Sequence, residues 1–421
     1  MKIAIIGSGI SGNTLAYYLN PHHQITLFES NDRVGGHSHT HQINLFNQKI
    51  SVDTGFIVFN KKTYPHFLKL LHELKVPYEN SAMSFSVKDS QKDFEYNGTN
   101  LNALFAQRKN LINPRFYKMI SEILRFNKSS IMLLNKDEEI SLGEYLEREN
   151  YSDFFKKYYI LPMGSAIWSS NIKAMMQFPA KFFIQFFNNH GMLNINDRPQ
   201  WLTISGGSIN YVEKMIQPFR KKIKLSQNIK YVDRKKDHVT ICFQDRTEKF
   251  DWVFFACHSD QALSLLTDPS KDEQAILNAL PYQNNQIVLH TDVKLMPKRR
   301  LAWAAWNYHL TKKPLGLAAV TYNMNILQSL ESTEPFLVTL NHTEGIDPAK
   351  VIKTLNYSHP VFTAEGIVAQ SKHAMISGIN RTAYAGAYWR NGFHEDGVVS
   401  ALTALQHFEA AQAKVILDAK I

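Results

Sequence analysis

Short continuous apolar runs and helical spacing alternate from the first residue of the chain onward. Lys2–Ile6 has the pattern of a buried strand, and Gly7-Ser8-Gly9-Ile10-Ser11-Gly12 follows it directly. Ile10, Leu15, Ala16, Tyr18 and Leu19 then recur as on one helical face, Pro21 closes that helix, and 25–29 reads as a second buried strand. Strand, tight turn, helix and strand in so short a span make a βαβ unit on a parallel sheet. Residues 64–74 are spaced as an amphipathic helix, 82–97 alternate as a hairpin, and 101–190 are helical and rich in Phe, Tyr and Met. Strand-like runs return at 229–233, 238–243, 249–256, 285–292, 316–322 and 335–341, followed by 384–389 and a helix over 397–417. There is no internal repeat, low-complexity tract or flexible linker, so the domains are expected to be woven from several segments.

Composition narrows the class. With 421 residues, 44% of them hydrophobic and 12% aromatic, the chain exceeds one ordinary core and suggests two interleaved domains. No window holds the roughly eighteen apolar residues of a spanning helix, and the start does not read as a signal peptide. Cys242 and Cys257 lie outside any CxxC or Cys/His cluster, so neither a disulfide scaffold nor a zinc site is expected, and a cytoplasmic setting is. A formal charge of +10 favours anionic partners, and basic clusters occur at 220–224, 234–236 and 298–300. Solvated lysine-rich faces are the plain reading. No nucleic-acid module accompanies them, so the specific expectation is an anionic phospholipid surface, with the protein peripheral at the inner membrane face.

The glycine turn carries the first chemistry. Gly7 permits the sharp turn, Gly9 lets backbone approach a pyrophosphate, and Gly12 lets helix and strand pack closely. Ile10 and Ser11 open the helix whose N-terminal N–H groups face the phosphates. Glu29, followed by Ser30, ends the second strand, where a carboxylate accepts the hydroxyls of an adenosine ribose and repels a 2′-phosphate. Arg33-Val34-Gly35-Gly36-His37 comes four residues later.

With these residues the sequence resembles the FAD-binding superfamily of flavin amine oxidases, phytoene desaturases and protoporphyrinogen oxidases, which carries an acid followed by Arg-x-Gly-Gly. The resemblance implies that Gly35 and Gly36 bring backbone N–H groups to the pyrophosphate. His37 stands where Arg or Lys is commoner. The resemblance also places Thr54-Gly55-Phe56, after Asp53, near the flavin, Gly206-Gly207-Ser208 at the start of another helix, and Ile229 against adenine. Gly386 and the run Glu395-Asp396-Gly397-Val398 match the closing strand and helix, the helix N-terminus facing the flavin. Ala387 departs from the pattern, which has an acid there, and Glu395 or Asp396 is expected to substitute. Long runs such as 161–169, 256–263, 302–308 and 392–397 are similar to a narrower bacterial group of FAD-dependent oxidoreductases. Its members are encoded beside cyclopropane-fatty-acid synthases and resemble the N-terminal half of the plant enzymes.

The resemblance implies an α/β fold with a Rossmann-like, glutathione-reductase-type FAD-binding domain from 1–75, 200–275 and 375–421. A mixed α+β substrate domain takes 76–199 and 276–374. FAD is the implied cofactor, and the implied activity is hydride transfer from an organic substrate to flavin N5, on a fatty acyl chain. An amine or amino-acid oxidase is the alternative. A third reading is an FAD-containing, non-catalytic partner of a lipid methyltransferase. Trp168, Trp201, Trp303 and Trp306 are candidate substrate-pocket residues, and Phe178, Phe182, Phe183, Phe186 and Phe187 read as an acyl tunnel or as core. His37, His39 and His41 alternate but lack an acidic or cysteine partner at metal spacing, so no metal is expected. Cys257 reads as a small buried hydrophobe. No catalytic base can be identified from the sequence.

Overall fold

The computed structural model of the chain describes residues 1–45, 48–311 and 315–418. Of the segments assigned above, 46–47, 312–314 and 419–421 lie outside these. Five parallel strands form the first sheet, in the order Ile223–Lys224, Gln24–Phe28, Lys2–Ile6, Trp252–Phe255 and Thr382–Tyr384. The central strand reads as an unbroken apolar run because both of its faces are covered. Helices Ile10–Leu19, Ile209–Ile216 and His394–Asp418 cover one face. On the other lie an antiparallel meander, Tyr231–Arg234, Val239–Cys242 and Thr247–Phe250, and helices Ser259–Leu265 and Lys271–Asn278. A buried fork of Arg234 onto Glu273, at 2.5 and 2.9 Å, joins meander to helix, and Tyr384 Oη donates to the same carboxylate at 2.6 Å.

The second sheet has seven strands, in the order Val351–Pro360, Tyr282–His290, Leu337–Leu340, Val320–Asn323, Trp306–Leu310, Phe85–Asp89 and Phe94–Asn97. All neighbours are antiparallel except Trp306–Leu310 and Phe85–Asp89. It shares a phenylalanine-rich core with helices Pro114–Ser129, Leu161–Trp168 and Ala180–Asn189. A small sheet, Val58–Asn60, Trp201–Ile204 and Tyr78–Ser81, bridges the two halves.

The structure departs from the hydrophobic pattern in definite places. The expected strand at 249–256 is two strands in two sheets, and they separate at Asp251, whose carboxylate accepts the Lys2 N–H at 2.6 Å. The run at 384–389 stops pairing at Tyr384 and continues as a 3₁₀ turn, Ala387–Trp389. Strands Thr40–Leu45, Gln48–Asp53, Trp306–Leu310 and Val351–Pro360 have no counterpart in the expected elements. The last is an edge strand, and its largely exposed first half lacks the apolar alternation that marks a strand.

Candidate functional site

A cavity of about 1190 Å³ runs from the first glycine turn to the aromatic core of the second half. Gly7 has φ +102°, and a Cβ at Gly12 would sit 1.8 Å from the Gly7 carbonyl oxygen, so the turn closes only with glycine at both positions. A Cβ at Gly9 would meet nothing within 4 Å, which leaves a bare backbone cradle on the cavity side. Ile10 and Ser11 line the cavity, whereas Gly12 faces the sheet.

Glu29, Ser30 and Arg33 line the same end, together with Gly35, Gly36 and His37. Glu29 Oε2 accepts Ser8 N–H at 2.9 Å and Ser8 Oγ–H at 2.6 Å, and Oε1 accepts from Asn31 N and Nδ2 at 2.9 and 2.8 Å. Burial would raise this carboxyl, but these hydrogen bonds outweigh it and hold Glu29 below the ordinary range, hence ionised. The Ser8 Oγ and Asn31 Nδ2 donors are side-chain groups whose places a diol could take, while the backbone donors fix the carboxylate. Arg33 donates to the Gly36 carbonyl at 2.8 Å and stiffens the loop. His37 is half-buried, its enclosed Nε2 has no partner, and desolvation together with His359, His258 and Arg33 lowers it well below the ordinary imidazole value. It is neutral, so phosphate charge at this end is left to backbone N–H groups and Arg33.

Thr54, Gly55 and Phe56 also line the cavity. Asp53 beside them faces inward instead. It accepts from Ser208 N and Oγ, Thr40 Oγ1 and Gln328 Nε2, and so ties this turn to the Gly206-Gly207 turn. Phe56 stacks on His394 with centroids 3.7 Å apart, and burial pulls His394 down to about 3. Ile229 and Gly386 line the cavity as expected from the sequence.

The C-terminal acids do not. Glu395 accepts His66 N, His66 Nδ1 and Phe67 N at 3.0, 2.7 and 2.9 Å, which caps helix Pro65–Glu73. Asp396 accepts Phe393 N–H at 2.9 Å and lies 3.5 Å from Arg390. Gly397 packs on Ile10 and Ser11, and Val398 is buried in the core. Both carboxylates are consumed in tying the final helix down, so neither replaces the acid missing at Ala387. The residues of this helix start that reach the cavity are Gly392, Phe393 and His394.

Trp168, Trp201 and Trp306 line the far end, and Trp303 does not: its Nε1 donates to the Pro297 carbonyl, and Arg300 covers its ring. Phe186 and Phe187 contribute to the wall, whereas Phe178, Phe182 and Phe183 belong to the core behind it. His39 and His41 stack at 4.0 Å, and no metal-holding group of three His, Cys, Asp or Glu occurs among the described residues. Cys257 lines the cavity, where burial pushes its thiol up to about 12.

Sequence reasoning missed a set of neutral polar side chains: His190, His258, Tyr282, Tyr322, Tyr357 and His359 all line the cavity. Alternation of Leu355, Tyr357 and His359 in the second half of Val351–Pro360 is the signal that points to two of them. His359 has a fixed tautomer. Asn341 Nδ2 donates to the Ala318 carbonyl and to Asn285 Oδ1, so the Asn285 amide presents its Nδ2 to His359 Nδ1 at 3.1 Å. His359 Nδ1 is therefore an acceptor, and the neutral ring, lowered to about 4 by burial and by His258, carries its proton on Nε2.

The open cradle at Gly9, the ionised Glu29 and the unpartnered His37 Nε2 fit a dinucleotide, and the cavity continues from them to His394. A family described as flavin containing amine oxidoreductase matches residues 10–322. No curated protein matches the sequence. Among solved structures, a putative protoporphyrinogen oxidase from Exiguobacterium sp. 255-15 superposes with a TM-score of 0.70 at 16% identity, over 97% of this chain and 98% of that one. A CLA-producing fatty acid isomerase from P. acnes gives 0.69 at 14%, over 96% and 98%. Cyclohexylamine oxidase from Brevibacterium oxydans IH-35A gives 0.67 at 13%, over 98% and 99%. At such identities these likenesses carry the fold and nothing more.

Proposed function

The chain belongs to the flavin-containing amine oxidoreductase family and is an FAD-dependent oxidoreductase, and from that premise we propose that its substrate is a fatty acyl chain. When bound, FAD supplies a hydride acceptor at N5. The carrying observation is the charge of the cavity wall. Its single carboxylate is Glu29, at the glycine-turn end, and no lysine lines it among the described residues. An ammonium substrate would be buried there without a counter-charge, which costs several kcal/mol. The far wall is instead apolar, with Tyr159, Met163, Ile167, Trp168, Phe186 and Phe187. Such a wall holds an alkyl chain and excludes water from it.

Arg198 supplies the complement for an acidic end. It lies on the cavity rim, exposed, and its one described hydrogen bond runs from Nε to the Asn194 carbonyl at 2.9 Å. A Cβ on Gly191 would lie 3.6 Å from Arg198 Cα, so the loop brings the Arg198 backbone against Gly191. The free face of the fork suits a carboxylate or a phosphate. Deeper in, His359 holds a donor proton at Nε2, and His37, His258 and His394 remain neutral, so the other fixed cation of the described lining is Arg33, at the glycine-turn end. The resemblance to the group encoded beside cyclopropane-fatty-acid synthases supports an acyl substrate. The test is the visible spectrum of the FAD-loaded protein, followed anaerobically as free fatty acids, phospholipids and amines are added. Bleaching by an acyl lipid is expected. Bleaching by amines alone makes the protein an amine oxidase, and a band that no class bleaches favours a non-catalytic partner of a lipid methyltransferase.

A further inference from the structure

No helix among the described residues is long and apolar enough to cross a membrane, yet one surface combines exposed apolar side chains with an excess of cations. Residues 101–132 contain six Lys or Arg and one acid, Glu122, which is buried and accepts from Ser152 N and Oγ. The same segment exposes Ile112 at 87% and Leu101 at 76%, with Leu111, Tyr117, Leu124 and Met132 also exposed.

These side chains form one patch. Tyr117 Oη donates to the Leu111 carbonyl at 3.0 Å, and the Phe105 and Tyr117 rings lie 5.9 Å apart. Arg108 reaches back to the Asn102 and Phe105 carbonyls. Helix Leu101–Leu104 packs on the turn Arg300–Ala302, which adds Arg300 and an exposed Leu301. Lys109 and Lys298 converge on Asp93, the acid of the patch, from 2.9 and 3.3 Å. One carboxylate cannot neutralise two ammonium groups, and Arg115 and Lys118 on the adjoining helix add further cations.

We propose that this patch, Leu101, Ile112 and Tyr117 ringed by Arg108, Arg115 and Lys118, docks the protein on an anionic phospholipid surface. Protruding aliphatic and tyrosyl side chains enter the headgroup boundary while the cations meet lipid phosphates. A second copy fits badly, because a twofold contact would set each cation against its own kind. Nucleic acid would use the cations and leave Ile112 and Leu101 without a role. The inference is independent of the substrate reading, since it concerns binding rather than turnover.

The FAD-loaded protein is sedimented with phosphatidylglycerol vesicles and with phosphatidylcholine vesicles at low and high salt. Binding to the anionic vesicles only, weakened by salt, is expected. Arg115→Gln with Lys118→Gln should weaken it about 30-fold, at roughly a tenfold loss per 1.4 kcal/mol and about 1 kcal/mol per cation. The control pair Lys221→Gln with Lys236→Gln should leave it unchanged. Ile112→Cys carrying a polarity-sensitive fluorophore should shift to the blue on anionic vesicles. The native thiols do not compete, because Cys242 is buried and the Cys257 thiol is held protonated. Equal binding to neutral vesicles, an equal loss in the control pair, or no fluorophore shift overturns the proposal. So does a shift with an RNA oligonucleotide but not with vesicles.

Discussion

Replacing Glu29 by glutamine separates the two ends of the cofactor site. The carboxylate receives fixed backbone donors on both oxygens, Ser8 N–H on Oε2 and Asn31 N–H on Oε1. Glutamine keeps one acceptor, and its NH₂ must face one of these backbone N–H groups whichever way it is turned. The diol of an adenosine ribose then loses one charge-assisted acceptor. A hydrogen bond to a charged group contributes about 1.5–3 kcal/mol, so FAD should bind about 10- to 150-fold more weakly. FMN lacks the adenosine, and its affinity should hold. Flavin fluorescence titration of the cofactor-free protein measures both. An FAD affinity within about twofold of the parent would refute the ribose role, at roughly 0.4 kcal/mol. An equal loss for FMN would show instead that the substitution disturbed the whole loop.

Four further substitutions probe stability and specificity. Arg234→Met leaves Glu273, 2% exposed, without its fork, and should cost about 3–5 kcal/mol as a fall in Tm. Adding Glu273→Gln should recover part of that loss, and no recovery would deny the pairing its importance. Asp396 is raised to about 6, by burial first, against the pull of Phe393 N–H and Arg390. Its stabilising contribution is therefore full below about pH 4 and lost as pH rises through about 6, on the order of 3 kcal/mol. Relative to Asp396→Asn, the parent's Tm should fall between those values, and parallel Tm profiles would contradict the assignment. Arg198→Gln should raise KM for a free fatty acid and leave KM for its methyl ester and the FAD affinity unchanged. Equal effects on acid and ester would remove Arg198 from recognition of the acidic end.

The half of the site that sequence reveals is the half made locally. From Lys2 to Gly36 the functional residues are set within one βαβ unit: Gly12 by its approach to Gly7, Glu29 by Asn31 two positions on and by Ser8 at the preceding turn. Strand, turn and helix write such constraints into spacing. The fold class follows for the same reason, because the central strands must be apolar on both faces. The other half is assembled across the chain. His359 is meaningful only because Val351–Pro360 pairs with Tyr282–His290 and brings Asn285 to its ring. No spacing within either strand encodes that meeting. Glu395 and Asp396 fail in the opposite sense. Their position after a strand and a glycine turn is that of a cofactor acid, but a helix start also needs capping, and the cap of Pro65–Glu73 and the Phe393 N–H take both carboxylates. Trp303 shows the same competition in an apolar residue, its indole N–H being spent on Pro297 while Trp306, three residues on, reaches the cavity. Residue type narrows what a side chain can do, and the partner that tertiary packing supplies decides which of those uses remains. By that rule Ala387 has more consequence than a missing ligand. With no acid at this turn and both nearby carboxylates engaged, the cavity wall between Gly9 and His394 offers neutral imidazoles and phenols, and the charge of a bound FAD would be balanced mainly by the glycine turns and Arg33.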